Sequence, residues 1–320
     1  MKLGILGTSD IALRRFLPAL QKQKYFAYVG VATRDISSLK AEQFKQQFGG
    51  DVYASYADLL ADYSIGAVYI PLPPALHYEW AKKALLAGKH VLLEKPFCTN
   101  VQDTEELLNL AEQRHLAVHE NYMFLYHSQL AEIKKMLADG ELGEIRLMRM
   151  AFGFPKRGEA DFRYNKELGG GALLDCGGYP VRLAMELLGA GTEVVQASLI
   201  QPLGYEVDLY GSAVLQNENG VNAQIAFGMD NAYKCELEIW GSEASLLAPR
   251  IFTAGADYAP ELVVKTSSDE KKIQLETDDQ FLHSIWRFAE KIENRTVTDN
   301  ELILRQAQLV AQIREKGQMK

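Results

Sequence analysis

Apolar residues in the first part of the chain come in short unbroken runs separated by amphipathic stretches. Leu3 to Leu6, Tyr28 to Ala32, Asp51 to Tyr53, Ala67 to Ile70, Val91 to Leu93 and Leu116 to His119 each read as a short strand, most of them buried on both faces. Between them lie segments with helical spacing: up to about Gln21 with Ile11, Leu13, Phe16, Leu17 and Leu20 on one side, about Ser38 to Phe48, Tyr56 to Ala61, a helix entered through His77 and ending near Ala87, and about Val101 to His115. Six strands alternating with helices predict an α/β fold with a doubly wound parallel sheet over residues 1–121. From Tyr122 the rhythm changes. A helix at about His127 to Ala138 leads into a long alternating strand, Glu144 to Phe152, and helical spacing returns before Leu188. Period-two strands follow at Val194 to Ile200, Asp208 to Gln216, Val221 to Phe227 and Cys235 to Trp240, with hairpin signals such as Asn217-Glu218-Asn219-Gly220 between them. The pattern predicts a second, α+β domain over residues 122–320 with a large, mostly antiparallel sheet, closed by helices at about Asp278 to Glu293 and Asn300 to Lys316.

Composition narrows the partners. Apolar content of 48% and charged content of 24% over 320 residues are those of an ordinary globular protein large enough for two cores. A formal net charge of -8 argues against a nucleic-acid backbone as ligand, and no apolar run is long enough to span a membrane. Three widely spaced cysteines, Cys98, Cys176 and Cys235, fit a reducing compartment and offer neither a disulfide framework nor a metal site. The chain passes from Lys2 straight into a strand, so a cytoplasmic location is expected.

The candidate chemistry sits where strands end. After the first strand, Gly7-Thr8-Ser9-Asp10-Ile11-Ala12 forms a turn into a helix, the context of a dinucleotide-binding loop, although Ser9 stands where a second glycine is usual. The second strand ends in Thr33-Arg34-Asp35. A hydroxyl beside a guanidinium suits a ribose 2′-phosphate, which favours NADP(H) over NAD(H); Asp35 points the other way. Pro71-Leu72-Pro73-Pro74 reads as a loop over the cofactor, and His77 beyond it either faces the nicotinamide side or serves as a packing or capping residue. The fifth strand stops at Glu94-Lys95-Pro96, where Lys95 is either a ligand-facing cation or a solvated strand end paired with Glu94. In the second half, Asp175 and Tyr179 are spaced to share one helix face within a glycine-rich segment, as part of an acid-base site or as a packed tyrosine beside a capping carboxylate.

Taken together, GILGTSDIA, AGKHVLLEKPF, ENYMF and GGGALLDCGGYP resemble the Gfo/Idh/MocA family of oxidoreductases over essentially the whole chain, and within it the chain is most similar to nucleotide-sugar (dTDP-sugar) 3-ketoreductases. The resemblance implies that Lys95 and Tyr179 match the family's catalytic pair; beside them, Asp175 is expected to hold sugar hydroxyls or tune that pair. It also implies that Gly7, Ser9, Asp10, Ile11, Thr33, Arg34, Leu72, His77, Glu94 and Asn121 match cofactor-contacting positions, with Thr8 and Pro73 in the same loops. Arg163 matches a region reaching toward the nicotinamide. The implied activity is NADP(H)-dependent reduction of a 3-ketosugar by an enzyme that needs no metal. Alternatives within the same resemblance are a catabolic sugar or trans-dihydrodiol dehydrogenase, or a non-enzymatic NAD(P)-sensing regulator. A homodimer or homotetramer assembled through the apolar outer positions of the second sheet is expected.

Overall fold

The computed structural model describes residues 1–189, 191–294 and 298–317. The chain divides into two compact units, one of Met1–Asn121 with Phe281–Leu304, the other of Tyr122–Gln280 with Arg305–Lys320. The boundary after Asn121 coincides with the change of rhythm. The segment from Phe281, expected in the second domain, belongs to the first unit.

In the first unit, strands β1 (Lys2–Leu6), β2 (Ala27–Ala32), β3 (Asp51–Tyr53), β4 (Ala67–Ile70), β5 (His90–Leu93) and β6 (Val118–Glu120) form one sheet in the order β3-β2-β1-β4-β5-β6. Every pairing in it is parallel. Helices α1 (Leu17–Leu20, continuing a π-helical turn at Ala12–Phe16), α2 (Leu39–Phe48), α3 (Tyr56–Ala61), α4 (His77–Leu86) and α5 (Val101–Gln113) connect the strands. Their starts are chemically specified: Ser38, Ser55 and Asn100 accept hydrogen bonds from backbone N–H groups in the first turns of α2, α3 and α5. Leu6, Val68, Ile70, Val91, Leu93 and Leu107 have no exposed surface. Burial of each such side chain is worth roughly 1.5–3 kcal/mol.

Strand β6 begins two residues later than the apolar run from Leu116. His115 takes a left-handed φ of 55°, and Leu116 N donates to Ala111 O at 2.9 Å, so the end of α5 consumes the start of that run.

The second unit holds α6 (Ser128–Ala138), α7 (Gly178–Leu188) and an eight-stranded sheet in the order β14-β13-β12-β11-β7-β10-β9-β8. Its strands are β7 (Ile145–Gly153), β8 (Glu193–Ile200), β9 (Tyr210–Gln216), β10 (Asn222–Gly228), β11 (Lys234–Gly241), β12 (Ser245–Ala248), β13 (Glu261–Lys265) and β14 (Glu270–Gln274). All pairs are antiparallel except β7 with β10, which run parallel at the centre. Strands β12 to β14 are absent from the sequence reading. β12 has only four residues, and the edge strand β14, Glu-Lys-Lys-Ile-Gln, carries charge where an apolar alternation would be legible. Two helices follow, α8 (Gln280–Asn294) and α9 (Thr298–Lys316). Helix α8 packs on the first unit through Phe288, stacked on Phe26 with centroids 5.5 Å apart, and Lys291, whose Nζ donates to Val118 O at 2.9 Å.

Candidate active site

The parallel sheet places four candidate site residues one position beyond strands β1, β2, β5 and β6. Gly7 N donates to Ala32 O (2.9 Å), Thr33 N to Tyr53 O (3.1 Å), Glu94 N to Ile70 O (3.2 Å) and Asn121 N to Leu93 O (2.9 Å). The sheet's last hydrogen bonds therefore fix the backbone of these residues along the carboxyl edge, where open α/β sheets bind ligands.

At the β1 and β2 ends lies a cavity of about 350 Å³, lined by Gly7, Thr8, Ser9, Thr33 and Arg34 and closed from the other side by Leu72 and Pro73. Gly7 has φ 102°, and a Cβ there would lie 2.7 Å from Leu72 Cδ2, so only bare backbone fits. The Ser9 Oγ accepts from Ala12 N at 3.2 Å and caps the turn that begins after Ile11. Asp35, the residue that pointed toward NAD(H), spends one carboxylate oxygen on its own turn, accepting from Ser37 Oγ (2.6 Å) and Ser37 N (2.9 Å). The Ser37 hydroxyl is the main cause holding that carboxyl below its usual range. Three lining residues escaped the sequence reading: Ser38, Lys40 and Tyr56. Lys40 Nζ pairs with Asp10 at 2.9 Å, and the Lys40 hydrogen bond holds Asp10 low. Its position in the first turn of the helix after β2 was the available signal. The Thr8 and Ser9 side of the glycine turn and two cations at Arg34 and Lys40 line a cavity that fits a dinucleotide with a phosphorylated adenosine ribose.

His77 is buried completely, between two segments that carry site residues. Its Nδ1 lies 2.7 Å from Pro96 O and its Nε2 2.7 Å from Leu72 O. Burial is the main cause that pushes its pKa down to about 4, against the pull of the carbonyls. A neutral ring donates to one of these carbonyls and packs against the other, so His77 sits behind the loop after β4 and the turn after β5 and presents no surface to a ligand. The turn itself holds a cis Lys95-Pro96 peptide. Glu94 Oε1 accepts from Tyr69 Oη and from Asn121 Nδ2, each at 2.6 Å. Burial pushes the Glu94 carboxyl up, while those two donors and the Lys95 cation oppose it.

In the second unit a π-helical turn, Leu173–Gly177, feeds α7 and sets the Asp175 and Tyr179 side chains. Asp175 Oδ2 accepts from Arg163 Nε at 2.7 Å. The guanidinium also reaches Asp161 Oδ1 at 3.1 Å and lies 4.6 Å from the Phe162 ring centroid. Burial works against the Arg163 charge, but Asp175 and Asp161 outweigh it and leave its pKa raised. Arg163 thus anchors Asp175. Tyr179 sits in a box of aromatic rings, with Phe152 at 5.0 Å, Tyr122 at 5.3 Å, and Phe124 and Phe252 each at 5.8 Å between centroids. The box restricts the ring to one orientation, which a positioned proton donor requires. Gly178 allows it: the Tyr122 hydroxyl occupies the place a Cβ would take, 2.1 Å from it.

Among the described residues, no group of three or more His, Cys, Asp and Glu side chains could hold a metal ion, and no helix is long and apolar enough to cross a membrane. Residues 1–122 match the family described as "Oxidoreductase family, NAD-binding Rossmann fold", and residues 130–247 match the "GFO/IDH/MocA C-terminal domain". The chain is 40% identical over 316 residues, 98% of this chain and 95% of the other, to a dTDP-3,4-didehydro-2,6-dideoxy-alpha-D-glucose 3-reductase from Actinomadura kijaniata. A protein of the same name from Saccharopolyspora spinosa is 38% identical over 98% of this chain and 96% of its own. The crystal structure of KijD10, a 3-ketoreductase from Actinomadura kijaniata in complex with NADP and TDP-benzene, superposes with a TM-score of 0.96 at 39% identity, covering 100% of this chain and 98% of that one.

Proposed function

Because the chain belongs to the Gfo/Idh/MocA family of oxidoreductases, we propose that it is a cytoplasmic, NADPH-dependent reductase of a 3-ketosugar carried on a nucleotide. The observation that carries this reading is the 40% identity, over nearly the full length of both chains, to a reductase of dTDP-3,4-didehydro-2,6-dideoxy-alpha-D-glucose. The cavity at the β1 and β2 ends supports the cofactor half: Arg34 and Lys40 supply two cations for a 2′-phosphate, and Asp35 is engaged by Ser37.

Bound dihydronicotinamide supplies the hydride. The chain's residues supply position, charge and a proton. Tyr179 gives the proton to the oxygen that becomes an alkoxide, a task suited to a phenol. Lys95 stabilises the charge that develops on that oxygen and on the phenolate left behind. Asp175, held by Arg163, keeps the turn before Tyr179 in one conformation. Glu94 and Asn121 form the cofactor side, and His77 holds the turn that carries Lys95. The functional unit is a homodimer or homotetramer joined through the open face of the eight-stranded sheet. That face carries a hollow of about 590 Å³ between small and polar side chains such as Ala151, Ser198 and Ser212, with Trp240 more than half exposed.

Turnover of NADPH with dTDP-3,4-didehydro-2,6-dideoxyglucose tests the assignment. Lys95→Ala and Tyr179→Phe are each expected to lower kcat by about a hundredfold or more. Near-normal rates in both would remove it. A D-xylose 1-dehydrogenase (NADP(+)) from Haloferax volcanii, 30% identical over 92% of this chain, motivates the oxidative counterpart. Oxidation of free aldoses with NADP(+), and no reduction of the ketosugar nucleotide, would establish that reading instead.

A further inference from the structure

Behind Glu94 and Asn121 lie in line two buried polar groups, Ser284 and His119, that neither the sequence motifs nor the proposed reaction accounts for. Asn121 Oδ1 lies 2.7 Å from Ser284 Oγ, and Ser284 Oγ lies 2.9 Å from His119 Nε2. Asn121, Ser284 and His119 are each 1% exposed. Ser284 comes from α8, 163 residues further along the chain than Asn121, in the segment that packs on the first unit.

We propose that Ser284 and His119 are positioning residues that set the orientation of the Asn121 carboxamide, and through it keep Glu94 ionised at the cofactor site. The inference rests on the dinucleotide-binding reading and on no particular sugar. A carboxylate oxygen only accepts, so an ionised Glu94 requires the Asn121 NH2 to face it and Asn121 Oδ1 to face Ser284. The Ser284 hydroxyl must then donate to Oδ1, which leaves its oxygen to accept, and His119 Nε2 must carry the proton. One alternative satisfies every group: the amide turned over, a protonated Glu94 donating to Asn121 Oδ1, the Asn121 NH2 donating to Ser284, and Ser284 donating to a bare His119 Nε2. The line therefore has two consistent states, and they differ by one proton on Glu94.

The groups around Glu94 decide between them. Tyr69 on β4 donates to Oε1, Lys95 lies next in the chain, and Asn121 follows β6. At the far end His119 meets the Phe288 ring at 6.0 Å, and the Lys291 ammonium on the same helix binds the neighbouring Val118 carbonyl. The Tyr69 hydroxyl and the Lys95 cation both favour the charged carboxylate and so support the ionised state of Glu94, in which His119 Nε2 carries the proton. An apolar contact would join α8 to the sheet at lower desolvation cost than three buried polar side chains. The line also ends at its single member with exposed surface, on the ligand edge.

NADPH affinity of the full chain, measured by protein fluorescence across pH in the absence of sugar, tests this, with thermal unfolding of the unliganded protein alongside. Ser284→Ala is expected to weaken NADPH binding about fivefold near neutral pH, one hydrogen bond's worth, and to move the acid loss of affinity toward higher pH. Ser284→Thr keeps the hydroxyl and restores both. His119→Gln, whose amide N–H can donate, behaves as wild type, whereas His119→Met behaves as Ser284→Ala and decides the matter if Ser284→Ala fails to fold. An unchanged affinity and pH profile in Ser284→Ala and His119→Met overturns the proposal. So does a lowered melting temperature with affinity intact. Absence of NADPH binding by the wild type would instead sink the cofactor reading itself.

Discussion

Replacing Gly178 by alanine perturbs the candidate proton donor without touching it. The added Cβ would lie 2.1 Å from the Tyr122 hydroxyl oxygen and 3.3 Å from Tyr122 Cζ, while ordinary contact begins at 3.4 Å. The tyrosine must retreat by about 1.3 Å, but Tyr122 is 1% exposed and meets the Tyr179 ring edge-on at 89° and 5.3 Å. Gln306 Nε2 also ties the pair, donating to Gly178 O at 2.9 Å and to Tyr122 Oη at 3.3 Å. Overpacking of this kind costs about 1–3 kcal/mol, and the better helix propensity of alanine returns about 0.5–1. A net loss of about 1–2 kcal/mol corresponds to a fall in melting temperature of roughly 2–8 °C for a domain of this size. The push passes to Tyr179, and an ångström of misplacement at a reacting group costs on the order of a hundredfold in rate. Steady-state reduction of the ketosugar nucleotide and thermal unfolding measure the two effects separately. Tyr122→Phe removes the clashing oxygen, so Gly178→Ala combined with Tyr122→Phe should recover most of the lost rate. Wild-type turnover in Gly178→Ala, or no recovery in the pair, would refute the claim that this packing positions Tyr179.

Three further outcomes are expected. Lys40→Ala should weaken NADPH binding by about tenfold and leave NADH binding nearly unchanged, because only the 2′-phosphate gains a charge-assisted bond; isothermal titration with both cofactors checks this, and equal losses for the two would exclude a role in selectivity. His77 is held near pKa 4 when folded against an ordinary value of 6.5. The unfolded chain therefore binds the proton first as pH falls, so stability falls from about pH 6.5 to pH 4 by up to about 3 kcal/mol from this group; denaturant titrations of wild type and His77→Gln across that window should show the slope in the first only. Trp240→Glu on the open sheet face should shift sedimentation toward monomer, and an unchanged oligomer would place the interface elsewhere.

Burial pattern alone carries the first sheet. Runs such as Val91-Leu92-Leu93 are apolar on both faces because helices cover both sides, so six strands and their order of appearance are written locally. The chemistry at strand ends is local for the same reason: Gly7, Thr33, Glu94 and Asn121 each follow a strand and take its last ladder hydrogen bond. The edge strand Glu270–Gln274 was illegible because a charged, solvated strand has no core face to betray it, whereas the opposite edge, Glu193–Ile200, keeps a legible alternation. Long-range contact decided the rest. Nothing near Phe281 in the chain says that α8 will join the first unit, nor near Asp175 that its partner will be Arg163 rather than a helix N–H. Nothing beside His77 marks it for two carbonyls instead of a ligand, since those carbonyls come from Leu72 and Pro96. Periodicity records which side of an element faces away from water; which polar group meets which is fixed only when the elements close on one another.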